Sequence, residues 1–132
     1  MNIKLTTKHF SEETGLSIDT LRYYERIGLI DPVERATNGH RRYNERDLRR
    51  VDFLKRVRAT GMSISEMQRY VDLFRIGEAT IVERRVMLEH HRQVVQEQIH
   101  ELCETMALLD TKINGYIEQE QALQSCKKLE QS

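Results

Sequence analysis

From Ile81 to Ile117 the chain contains no proline and a single glycine, Gly115, while its apolar residues recur at helical intervals. They fall at Leu88, Val95, Ile99, Leu102, Met106, Leu109, Ile113 and Tyr116. From Val95 onward the spacing is 4-3-4-3-4-3, the seam of a coiled coil sustained for about three heptads. At ~1.5 Å per residue such a helix is roughly 55 Å long. It exceeds any small domain that the preceding residues can form, and it cannot bury its stripe against itself. The spacing therefore predicts a dimerisation helix that pairs with its own copy, antiparallel, in preference to a surface helix folded back on the domain.

The first half of the chain has a different charge. The protein has 132 residues and no net charge, which alone argues against a polyanionic partner. Residues 1–75, however, hold 15 Lys and Arg against 11 Asp and Glu, while residues 76–132 hold 6 against 10. Residues 22–58 are the most basic, with 11 against 6. A basic half joined to an acidic half suggests a nucleic-acid module fused to something else. No apolar run approaches the ~20 residues of a membrane span, and Met1–Leu5 lacks the apolar core of a signal peptide. The expected location is the cytoplasm. Two cysteines, Cys103 and Cys126, are too few for a disulfide framework and agree with a reducing compartment.

Within residues 1–75 the turn signals are close together. Thr6 or Thr7 is placed to cap a helix to about Thr14, anchored by Phe10. Gly15-Leu16-Ser17 is a tight turn, and Ser17 caps a second helix from Ile18 to about Ile27 that Gly28 ends. Two short helices joined by such a turn are the helix-turn-helix pattern, whose second helix enters the major groove. Leu29–Val33 reads as extended, because Pro32 blocks a helix. Asn38-Gly39 signals a hairpin turn between residues 33–35 and 40–43, so a small wing is expected. Asn44 caps a third helix over about 45–59. Ser63, with Glu66 as a capping box, starts a fourth helix that runs to about Phe74.

The second helix carries Thr20-Leu21-Arg22-Tyr23-Tyr24-Glu25, and the wing carries Arg41-Arg42-Tyr43. Arg22 lies in the first half of the recognition helix, where a guanidinium can bind guanine bidentately. Tyr23 and Tyr24 point about 100° apart, so one can face DNA while the other packs inward. Ser17 and Thr20 add hydroxyl and backbone N–H donors for phosphate. On a strand Arg41 and Tyr43 share a face, with Arg42 opposed; Tyr24, Arg41, Arg42 and Tyr43 are counted with Ser17, Thr20, Arg22 and Tyr23 as candidate DNA contacts.

These residues resemble the MerR family of bacterial transcription regulators. The matching text runs Phe10-Ser11-x-x-Thr14-Gly15-Leu16-Ser17-x-x-Thr20-Leu21-Arg22-Tyr23-Tyr24-Glu25-x-x-Gly28-Leu29-Ile30-x-Pro32. It continues through Asn38-Gly39-x-Arg41-x-Tyr43, Asp47-Leu48, Arg58-x-Thr60-Gly61-Met62-Ser63 and Glu66-Met67. The later Gln98-Ile99-x-Glu101-Leu102 and Leu108-Leu109-Asp110-x-Lys112-Ile113 look like the family's dimerisation helix. The resemblance implies a mainly α fold: an N-terminal winged helix-turn-helix of four helices plus a small β-hairpin, then a long helix forming an antiparallel coiled coil. The corresponding division is a DNA-binding domain over 1–75, a linker over 76–80, a dimerisation helix over 81–118 and a polar, partly disordered tail over 119–132. It makes Tyr23 the stronger phosphate contact and adds Arg35, Arg41 and Arg58 as backbone contacts. The implied partners are double-stranded promoter DNA, a second copy of the chain and, indirectly, RNA polymerase. The implied mechanism is distortion of promoter DNA in response to an effector.

The effector is less legible. No closely spaced Cys pair or His cluster exists, so no metal and no cofactor are expected. His90 and His91 are adjacent, point to different helix faces, and read as solvated. Residues of the third and long helices resemble a subgroup linked to aldehyde and electrophile stress, but the reactive Cys common there, around Arg56 here, is missing. Cys103 is the remaining sensor candidate, and beside the Ile99–Met106 seam it reads as a small buried hydrophobe. An enzyme is not expected, because no nucleophile–base pair, phosphate loop or metal set is present. A DNA-architectural, excisionase-like winged helix is the alternative, and a coiled-coil adaptor that binds no DNA would leave Arg22 and the wing unused.

Overall fold

The computed structural model describes residues 5–31, 34–35 and 41–131, with backbone alone at 34, 35, 41 and 42. The elements follow in the order β1 (Leu5–Thr6), α1 (Thr7–Thr14), α2 (Ile18–Arg26), β2 (Glu34–Arg35), β3 (Arg41–Tyr43), α3 (Glu45–Ala59), α4 (Ile64–Ile76), a 3-10 turn (Glu78–Thr80) and α5 (Ile81–Glu130). Mainly helical architecture with a short hairpin is the expected class. The Asn38-Gly39 turn and Pro32 lie outside the described residues.

Local chemistry explains each boundary. The Thr6 hydroxyl accepts from the His9 N–H at 3.2 Å and starts α1. Gly15, at φ 73°, ends it and donates its N–H to the Ser11 carbonyl. A side chain at Gly15 would be strained by that φ, and its Cβ would come 2.8 Å from the Lys55 ammonium, which would have to shift. Lys55 uses this access to donate to the Thr14 carbonyl at 2.7 Å, which caps α1 from α3. Ser17 caps α2, accepting from the Thr20 N–H at 3.1 Å. The capping box expected at Ser63 forms at α3 instead. The Asn44 side chain accepts from the Asp47 N–H, and the Asp47 carboxylate accepts from the Asn44 N–H, both at 3.0 Å. At Ser63 the serine half of the arrangement forms, with the Glu66 N–H donating at 3.1 Å.

The sheet has one strand more than the expected hairpin. β3 pairs antiparallel with β2 on one side (Glu34↔Arg42, Arg35↔Arg41) and with β1 on the other (Leu5↔Tyr43, Thr6↔Arg42). The N-terminal segment thus ties the wing to α1. The core beneath it draws Phe10 from α1, Leu21 and Tyr24 from α2, Val51 and Leu54 from α3, and Met67 and Val71 from α4. Phe10 and Tyr43 stack at 4.1 Å between centroids, with planes 9° apart. Such pairs add about 0.5–1.5 kcal/mol beyond their buried area.

The chain divides into two compact units, Met1–Arg92 and Gln93–Ser132. In the first, residues 76–80 form a bonded turn. The Thr80 hydroxyl, buried, donates to carbonyls at its helix junction, reaching Gly77 at 2.9 Å. Arg84 holds the same junction, bonding Thr80 at 3.1 Å and the Gly77 carbonyl at 3.0 Å. His91, read from sequence as solvated, is buried instead, with Nε2 2.7 Å from the Thr60 hydroxyl at the end of α3. Adjacency to His90 says nothing about which face meets α3. In the second unit the helix persists through the polar stretch after residue 118, so those residues are helical to Glu130.

Asp31, in the segment after α2, joins two helices of the first unit. Its carboxylate accepts from Arg50 of α3 at 2.7 Å and from Arg75 of α4 at 2.9 and 3.0 Å. Partial burial raises its pKa, but the hydrogen bonds and charges of Arg50 and Arg75 outweigh that, and the carboxyl titrates below its usual value. A lowered folded pKa adds stability that is present above the unfolded value of about 3.9 and is lost as pH falls through the folded value. Asp31→Asn is therefore expected to cost roughly 0.5–1 kcal/mol near neutral pH, given its exposure. The gap between the two proteins in urea midpoint should close as the pH is lowered beneath 4.

Candidate nucleic-acid interface

α2 presents one edge to solvent. Leu21 and Tyr24 face the core, while Asp19, Arg22, Tyr23 and Arg26 lie on the exposed side. That exposure pattern, i, i+3, i+4, i+7, defines one face of a helix. Ser17 is exposed at the N-terminus, and its hydroxyl lies 2.9 Å from that of Thr20. Two hydroxyls and the unpaired N–H groups of the first turn thus stand at the positive end of the helix dipole. Arg22 follows one turn later, fully available for a base edge. Tyr23 is 38% exposed, and the Arg26 guanidinium lies 5.4 Å from its ring centroid. The cation over the ring restrains the tyrosine at the rim of the edge. Arg26 was not singled out from sequence, although its i, i+3 spacing from Tyr23 is the signal that marks it.

The two tyrosines of the motif separate cleanly. Tyr24, expected among the DNA contacts, is buried, and its carbonyl accepts from the Leu29 N–H at 2.8 Å where the chain leaves α2. Burial chiefly raises its phenol pKa, the Arg58 charge opposes that, and Tyr23 adds to it. Tyr24 is a core residue because its position on the helix is 100° from the exposed edge. Tyr43, also expected on DNA, is 1% exposed and stacked on Phe10. Its period-2 partnership with Arg41 was legible, but the face on which α1 would lie was not.

Arg58 is exposed at the end of α3 and spends one donor on the Met62 carbonyl at 3.3 Å, holding the α3–α4 turn. The strand backbone places Arg35, Arg41 and Arg42 on β2 and β3, and their side chains lie outside the described residues. Gln68, missed from sequence, donates to the Ile27 carbonyl at 3.1 Å and fixes the C-terminal end of α2 against α4. The recognition helix is thus held at both ends, by Ser17 at its start and by Gln68 and Gly28 at its finish.

On α5 the predicted seam is divided by exposure. Leu88 and Val95 are half-buried. Ile99, Leu102, Met106, Leu109, Ile113 and Tyr116 are each more than half exposed in the single chain. Burying a side chain of this size is worth about 1.5–3 kcal/mol, so the uncovered row is a strong incentive to associate. Cys103, expected as a small buried hydrophobe, is exposed in the single chain, as is Cys126. His100, one turn before, pairs with Glu104 at 3.1 Å. Among the described residues no group of three or more His, Cys, Asp or Glu could hold a metal ion. No helix among them is long and apolar enough to cross a membrane.

A capped recognition helix with an exposed Arg–Tyr–hydroxyl edge, flanked by a sheet wing, defines a winged helix-turn-helix DNA-binding protein. The profile of MerR helix-turn-helix family regulatory proteins matches residues 5–73, and the MerR DNA-binding profile matches residues 48–112. The chain belongs to the MerR family of transcriptional regulators. It is 43% identical over 93 residues to the regulator AdhR of Bacillus subtilis, a match covering 70% of this chain and 64% of that one. It is 36% identical over 111 residues to a helix-turn-helix-type transcriptional regulator of Haemophilus influenzae, covering 84% and 82%. Among solved structures, a MerR family transcriptional regulator from Listeria monocytogenes superposes with a TM-score of 0.83 at 37% identity, covering 97% and 99%. HiNmlR, a MerR family regulator lacking the sensor domain and bound to promoter DNA, superposes with a TM-score of 0.79 at 34% identity, covering 88% and 92%.

The different burial of the tyrosines is testable. Tyr43→Ala should lower stability by about 3–5 kcal/mol in urea unfolding, as expected for emptying a core ring site. Tyr23→Ala should move stability by less than about 1 kcal/mol while weakening DNA binding.

Proposed function

We propose that this regulator binds a two-fold symmetric promoter operator as a homodimer and controls transcription by distorting the DNA between its half-sites when an effector binds. The observation that carries the reading is the pairing, in one chain, of an exposed recognition edge on α2 with an uncovered apolar row on α5. Residues 1–75 serve as the DNA-binding part and 81–118 as the dimerisation part. Arg22 reads a base edge, Ser17, Thr20 and Tyr23 hold phosphate, and Arg35, Arg41, Arg42 and Arg58 add backbone contacts. The promoter-bound relative supports the reading of this chain as a binder of promoter DNA. Bending or untwisting DNA costs several kcal/mol, which two half-sites gripped by one dimer can supply. RNA polymerase is then affected indirectly, through promoter shape, in the cytoplasm.

The charge pattern of α5 favours antiparallel pairing. The d row, spaced by seven, reads Ile81, Leu88, Val95, Leu102, Leu109, Tyr116, Leu123. The a row reads Arg85, Arg92, Ile99, Met106, Ile113, Glu120, Lys127. A parallel dimer in register would face Arg92 with Arg92 and Glu120 with Glu120 at seam positions. An antiparallel dimer centred near Met106 parts Arg92 from Arg92 and Glu120 from Glu120 and sets each towards the other, while Arg85 comes towards Lys127, so fewer like charges meet than in the parallel arrangement.

Arg22→Ala should weaken operator binding by at least about fivefold, the low end for one bidentate base contact, and relax preference at one base pair per half-site. An unchanged footprint and unchanged affinity would remove Arg22 from the reader role. Leu102→Lys combined with Leu109→Lys should convert the dimer to monomer in light scattering and abolish cooperative occupation of both half-sites. A dimer that persists would refute the seam.

A further inference from the structure

Between α3 and α4 lies a cavity of about 250 Å³ that takes no part in the DNA edge or the α5 seam. Its walls combine two chemistries. Phe53, Tyr70 and Phe74 supply rings, the first two 5.5 Å apart at 43°. Arg46, Arg49 and Arg50 supply three guanidinium side chains from successive turns of α3. Arg50 is already engaged, by Asp31 at 2.7 Å and by the Phe74 ring at 5.0 Å from its centroid. Arg46 and Arg49 are exposed and make no ion pair among the described residues. Asp31, the partner of Arg50, is shared with Arg75, and Glu13 and Asp52 border Arg49 on its other side without an ion pair to it. The cavity lining thus holds three arginines and no carboxylate, beside aromatic faces that a flat ring can cover.

We propose that this cavity is a binding site for a small aromatic carboxylate, its ring against Phe53, Tyr70 and Phe74 and its carboxylate on Arg46 and Arg49. Guanidinium forks match carboxylate geometry, and offset ring contacts favour a planar guest. Ligand pockets for drug-sized molecules are about 300–1,000 Å³, so this smaller volume suits one ring with one acidic group. A nucleotide is too large for it. Occupancy would also bear on the wing. A second anion beside Arg50 competes with Asp31 for that guanidinium, and Asp31 stands three residues ahead of β2. The Asp31 clamp on α3 and α4 is then the element whose population a bound carboxylate shifts, which is what an effector requires.

Calorimetric titration of the full-length protein with benzoate tests the site, with benzyl alcohol (ring without charge) and acetate (charge without ring) as comparators. Saturable benzoate binding at one site per chain is expected, at least tenfold tighter than either comparator. Arg46→Gln with Arg49→Gln should weaken benzoate at least tenfold while the circular dichroism spectrum and ligand-free operator binding are retained. Equal responses to the three probes, or benzoate affinity unchanged in the double variant, would overturn the proposal. Because the binding readout needs no DNA, failure of the operator-distortion mechanism would leave this result standing, and the reverse.

Discussion

The stack of Phe10 on Tyr43 is the contact on which the DNA-binding unit depends. It joins the first helix to the central strand of the sheet, and β3 carries β1 and β2 on its two edges. Without it, the wing would be a short ribbon of two- and three-residue strands, which cannot hold itself together in water. With it, β3 joins through Tyr43 the same core that holds Leu21 and Tyr24 of α2. Asp31 reinforces the arrangement from the other side by tying the chain ahead of β2 to α3 and α4.

The second constraint is the apolar row of α5. A single chain leaves it in water from Ile99 to Tyr116, and no element of the second unit other than the helix itself is available to cover it. Association is the physical remedy. The first unit secures the start of the same helix through His91 on Thr60 and Arg84 on the Gly77 carbonyl. The first turns of α5 are thus tied by hydrogen bonds to the ends of α3 and α4, the two helices that pack against α2 in the core.

Much of the local structure was readable in advance because it depends on few residues. Caps at Ser17, Asn44 and Ser63 and stops at Gly15 and Gly28 are set by hydroxyls, amides and positive φ within a span of four residues. Arg22 and Tyr23 were legible as an exposed pair for the same reason. Tyr24 and Tyr43 were not, since both were read as DNA contacts and both lie in the core. A tyrosine carries a ring that suits a core and a hydroxyl that suits a phosphate, and its type does not say which is used. Strand β1 and buried His91 escaped for another reason. A two-residue strand has no period to detect, and a histidine beside another histidine shows no preference until α3 is brought against it.

By itself, the sequence determined the helices, the ends of α1, α2 and α3, the exposed Arg22 edge and the heptad row from Val95 to Tyr116, all of which follow from spacing along one chain, whereas the last turns of α5, to Glu130, lie in a polar stretch without an apolar row to mark them. Only the tertiary structure decided which aromatics face inward, that Asp31 draws together arginines 19 and 44 residues away, and that a basic, ring-lined cavity opens between α3 and α4. Those features depend on contacts between residues distant in sequence. Periodicity and capping constrain a helix from within, but the rotation at which one helix meets another is set by the packing of the whole core.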